Sequence, residues 1–141
     1  MSNKAPTPSS RTQALARHQA KANRYAEILQ QCTQSSVDLT AAVIGTVDGI
    51  QIASLVLKPN HRPAQLAAMA SSLLAVAAAA GREVGHTRCD RLMIESASGT
   101  LLVKPLGKQA DLVLCMALPP NSLLGRALWA TDAIAKAVNT A

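Results

Sequence analysis

From residue 40 onward, short apolar runs alternate with two long helical patterns. Residues 40–47 (TAAVIGTV) and 50–57 (IQIASLVL) are rich in Val, Ile and Leu and read as strands. Only Asp48 and Gly49 separate them. Asp-Gly tolerates the positive φ of a two-residue type I′ turn, so the pair predicts a β-hairpin turning at Asp48 and Gly49. In the second strand Ile50, Ile52, Ser54 and Val56 share one face, and Gln51, Ala53, Leu55 and Leu57 share the other. Both faces are mainly apolar, which calls for a helix on at least one side.

A small-residue helix follows. Pro63 suits a first helical turn, where its missing N–H costs nothing, and Gly85 marks the stop, so the helix is expected over residues 62–84. Leu66, Met69 or Ala70, Leu73 and Val76 or Ala77 form a stripe of larger residues at helical spacing. Ala68, Ser71 or Ser72, Ala75 and Ala79 form a second, small stripe. A helix apolar on two stripes needs two partners: one is its own sheet, and a second copy of the same helix is a candidate for the other, the alternative being that the small stripe packs on the sheet itself.

Residues 91–96 (RLMIES), 100–106 (TLLVKPL) and 112–118 (LVLCMAL) read as three further strands, with a turn at Ser98 and Gly99. Pro105 cannot donate to a ladder and belongs at a strand end or bulge. Pro119 and Pro120 stop the last strand. Asn121 or Ser122 then suits an N-cap for a helix to about residue 138. A helix over residues 11–33 precedes the first strand. The order is α-β-β-α-β-β-β-α: an α+β fold with a five-stranded antiparallel sheet sandwiched by helices. Residues 1–12 are expected to be a disordered basic N-terminal tail, and 13–141 a single domain.

The chain has no Phe, one Trp and one Tyr, so Leu, Val, Ile, Met and Ala must fill the core by shape. The net charge of +6 is uneven. Residues 1–35 hold five basic groups against one acid, whereas residues 36–141 hold nine against seven. A basic arm of this kind attracts acidic or phosphate-bearing partners. Residues 64–81 carry no charge and approach the ~20 residues of a membrane span. Their alanine content favours a buried helix in a soluble protein instead. Three unpaired cysteines and a polar N-terminus without an apolar stretch fit a reducing cytoplasm.

The residues offer little reaction chemistry. Leu102 stands where a phosphate loop ending in Gly107-Lys108 would need its first glycine, and Gln109 follows the lysine, so no nucleotide loop exists. His86, Cys89 and Asp90 cluster, but their spacing fits none of the common zinc classes. His18 and His61 have no nucleophile or acid beside them in sequence. The near absence of aromatics argues against specific nucleic-acid binding. No catalytic group, cofactor or metal is expected. An enzyme would need a pocket where His86, Cys89 or Cys115 converge.

In order and spacing, the hairpin VIGTVDGIQIASLVL, the helix AQLAAMASSLLAVAAAAG, the strand pair RLMIESASGTLLVKPLG and the passage ADLVLCMALPPNSLLGRAL resemble the Roadblock/dynein light chain family. The resemblance spans about 100 residues. It implies profilin-like layering, with the middle helix on one sheet face and the terminal helices on the other. It also implies a homodimer built by the third strand and the middle helix. On this sequence that interface maps to Ala68, Ser71, Ser72, Ala75, Ala79, Leu92, Met93 and Ile94. The resemblance further implies a non-enzymatic scaffold that binds a Ras-like small GTPase and modulates its nucleotide cycle. The alternative is an adaptor in a sensor-kinase, polarity or motility complex.

Overall fold

The computed structural model describes residues 9–34 and 37–141. The first helix, α1 (Ser10–Thr33), opens where Ser9 Oγ accepts the Thr12 N–H at 3.2 Å. It therefore takes in residues 10–12, assigned above to the tail, while residues 1–8 lie outside the described part. β1 (Ala41–Thr46) and β2 (Gln51–Val56) follow, then α2 (Pro63–Glu83), β3 (Leu92–Ser96), β4 (Gly99–Leu106), β5 (Leu112–Leu118) and α3 (Leu124–Thr140). This is the predicted order.

The strands form one antiparallel sheet in the order β2-β1-β5-β4-β3, which leaves β2 and β3 at its edges. α2 covers one face, and α1 and α3 cover the other. Alternation along each strand divides the core accordingly. Leu102, Leu106, Leu112, Leu114 and Met116 join Ile28, Leu29, Ile134 and Val138 beneath α1 and α3. Val43, Val103, Val113 and Cys115 join Ala67 and Ala70 beneath α2.

Local geometry departs from expectation in several places, each with an identifiable cause. The first hairpin is wider than a two-residue turn, because the Gly49 N–H closes on Thr46 O at 2.9 Å and the Ile50 N–H reaches Thr46 Oγ1 at 3.2 Å. Gly49 has φ of +90° but Asp48 is not left-handed, so the type I′ expectation fails. Gly45 pairs with Gln51 and Ile44 with Ala53, which leaves Ile52 as the extra residue of a β-bulge. The bulge moves Ile52 to the α1 side, beside Ala53 and Leu55, rather than to the Ser54 and Val56 face.

The second hairpin pairs Ser96 with Gly99, so its turn residues are Ala97 and Ser98. Pro105 is tolerated because its missing N–H points past the start of β3. Ser122 does not cap α3. Its hydroxyl donates to Pro119 O at 2.7 Å, and the helix starts after Leu123 without a side-chain cap.

α2 sits unusually close to the sheet. A Cβ built on Gly45 would lie 2.9 Å from Ile50 O and 3.1 Å from Ala67 Cβ. Gly45→Ala is therefore expected to lower unfolding free energy by about 1–3 kcal/mol in a urea titration. Unchanged stability would show that the helix is not held this tightly.

Candidate protein–protein interface

The sheet-facing side of α2 is lined by its smallest residues. Ala67 and Ala70 are fully buried, and Leu66 and Leu74 are half-buried at its margins. The larger stripe expected to face the sheet instead splits. Met69, Leu73 and Val76 turn outward with 63%, 37% and 67% of their surface exposed. The cause is steric: the helix can approach Gly45 only with alanines between, so the bulkier side chains must leave the contact. α2 was expected to be buried, and only one side of it is. It is also the single helix among the described residues long and apolar enough to cross a membrane by length and composition.

Of the interface residues named from sequence, Ala68, Ser72, Ala75 and Ala79 lie exposed on α2, and Ser71 is half-buried. Leu92, Met93 and Ile94 are half-buried on the edge strand β3. Sequence reasoning missed Met69, Leu73 and Val76 as surface residues. With Leu66, Leu101 and Cys115 they line an open apolar groove of about 560 Å³ between α2 and the β4 side of the sheet. The only available signal was the alternative reading of the same helical period, with alanines inward.

At the start of β3, charges gather on the opposite face. Arg91 Nη2 lies 3.3 Å from Asp132 Oδ1 on α3, and Lys104 Nζ lies 3.9 Å from the same oxygen. Lys104 also donates to Asp90 O at 3.3 Å. Arg91 Nε is buried without an acceptor. Two cations thus share one carboxylate.

The residues considered for chemistry do not converge. Cys115 lines the α2 groove, whereas His86 and Cys89 do not. Burial pushes the Cys115 thiol up to about 12, which removes its thiolate at neutral pH. The Cys89 thiol donates to Arg91 O at 3.3 Å. Among the described residues, no group of three or more His, Cys, Asp or Glu could hold a metal ion.

The family model described as the Roadblock/LC7 domain matches residues 25–116, from the second half of α1 into β5. The chain belongs to this family. Three solved structures show the same fold. Gliding protein MglB from Thermus thermophilus is 19% identical, with a TM-score of 0.71 over 86% of this chain and 93% of that one. An MglB with a tetrameric arrangement is 20% identical, with a TM-score of 0.73 over 84% and 90%. A Roadblock/LC7 domain from Streptomyces avermitilis is 20% identical, with a TM-score of 0.67 over 77% and 90%. No curated protein sequence matches the chain. The outward α2 stripe thus lies on one face of the sheet, and the Arg91, Lys104 and Asp132 charges lie on the other.

Proposed function

We propose that this Roadblock/LC7 protein is a non-enzymatic homodimeric regulator that works in the cytoplasm by binding a Ras-like small GTPase and modulating its nucleotide cycle. The observation that carries the dimer is the outward stripe of Met69, Leu73 and Val76 beside the unpaired edge of β3. An apolar helix face and a free strand edge are both surfaces that soluble proteins cover. One twofold contact covers both at once, with α2 packed on α2 and β3 on β3. Ala68, Ser72, Ala75 and Ala79 then let the two helices approach closely. The tetrameric arrangement of one MglB structure supports self-association as a habit of this fold. The GTPase reading rests on the family resemblance and on a surface suited to binding rather than catalysis.

A second reading, the adaptor, is favoured by one observation. Residues 10–24 of α1 are almost wholly exposed and carry Arg11, Arg17, Lys21 and Arg24 without an acid. A basic helix half free of the body can dock on an acidic partner independently of the dimer.

Light scattering at micromolar concentration should give twice the monomer mass. Ala75→Glu should give a folded monomer, because a charge buried between two helices without a counter-ion costs several kcal/mol. A dimeric Ala75→Glu variant would remove α2 from the interface. Mixing with the organism's Ras-like GTPase in both nucleotide states tests the regulator. Complex formation in at least one state is expected, and binding in neither would leave the adaptor reading.

A further inference from the structure

We propose that the chain recognises its own copy through a reciprocal charge pair, Arg91 and Glu95, which sets the register of β3 against β3. The inference rests on the homodimer reading above and assigns what that reading leaves open: which residues meet, and why the partner is a second copy.

The register follows from hydrogen-bond parity. The Val47 N–H donates to Asp111 O at 3.2 Å and the Thr46 N–H to Ile50 O at 2.9 Å, so the odd residues of β1 direct their main-chain groups toward β5, and Ala42 and Ile44 direct theirs toward β2. Alternation then passes through β1–β5 and β5–β4 to β3. It leaves Leu92, Ile94 and Ser96 bonded to β4, and it turns the main-chain groups of Met93 and Glu95, with Arg91 ahead of them, toward the open edge. An antiparallel strand added there must pair outward groups with outward groups. With the twofold axis at Met93, Met93 faces its own counterpart, and Arg91 faces Glu95 of the second copy at both ends. Leu92, which packs against the α2-side core, faces Ile94 of the second copy.

Neighbouring registers are worse electrostatically. Centring the axis on Glu95 or on Arg91 sets like charges opposite each other, which destabilises a cross-strand pair. The intermediate registers place Met93 opposite Glu95 or Arg91 and leave the charges unmatched.

The surroundings of the two residues fit this pairing. Met93 packs toward the α3 side and Arg91 reaches Asp132 on α3, so the odd-numbered residues of β3 point to that face. Continuing the register beyond Leu92 and Val103 makes Lys104 the cross-strand neighbour of Arg91. The two cations share one exposed carboxylate, and the Arg91 side chain keeps 30% of its surface open to a partner. Glu95 is exposed and makes no ion pair among the described residues. Glu95 of the second copy adds a second carboxylate beside the two cations at each end.

Charge reversal tests the assignment on the full chain. Arg91→Glu and Glu95→Arg each set like charges opposite at both ends of the strand pair, and each should weaken self-association at least about ten-fold. Mixed in equal amounts, the two variants become complementary at both ends. Native mass spectrometry, which separates their masses, should then show mainly heterodimer, with an affinity within about three-fold of wild type. The double variant Arg91→Glu/Glu95→Arg should dimerise with itself again. Glu95→Arg alters an exposed side chain with no ion pair among the described residues, so it is expected to retain its fold, which circular dichroism checks. Single variants as tight as wild type, or a mixture no tighter than its components, would overturn the charge code while leaving the dimer standing. A wild-type protein that stays monomeric at tens of micromolar would overturn the homodimer reading itself and this inference with it.

Discussion

The close seating of α2 on the central strands governs the rest of the molecule. Gly45 offers no side chain, and Ala67 and Ala70 fill the contact, so helix and sheet meet at alanine distance. Nothing larger fits there without forcing the layers apart. Leucine, methionine and valine are therefore displaced to the outer side of the same helix. The apolar surface that stabilises a core elsewhere is left facing water here. The α2 side of the sandwich thus keeps an apolar stripe of Met69, Leu73 and Val76 facing solvent.

The two sheet edges share this imbalance in different forms. β2 carries a bulge opposite Gly45, a common means of twisting an edge away from further pairing. β3 has a regular register to its last residue and carries opposite charges near its two ends, Arg91 just before it and Glu95 next to its last residue. A regular edge with charges of both signs is suited to selective pairing, whereas a bulged one resists it. On the proposed reading, function lies in a surface completed by a second copy of the chain; among the described residues no three or more His, Cys, Asp or Glu side chains gather to hold a metal ion.

Fold class and element order were legible in the sequence, because apolar runs of strand length, Pro63, Gly85 and the Pro119-Pro120 stop act locally. Turn geometry was less legible. Asp48-Gly49 marked the hairpin, but the bulge at Ile52 depends on Gly45 across the ladder and on α2 above it, which no local pattern encodes. The α2 faces were ambiguous for a physical reason: alanine is apolar enough to serve as core or surface, so periodicity alone could not decide which stripe turned inward. The Arg91, Lys104 and Asp132 cluster joins three elements distant in sequence and became visible only with the sheet register.

The central claim is that β3 and α2 are covered by a second copy of the chain, and amide hydrogen exchange at two protein concentrations tests it most directly. The Leu92 and Ile94 amides bond to β4 and should be protected at both. The Met93 and Glu95 amides point to the open edge, so they should exchange freely in dilute protein and become protected as the dimer forms. Ser54 and Val56 on the β2 edge should stay unprotected throughout. Free exchange at Met93 and Glu95 in concentrated protein would contradict the account.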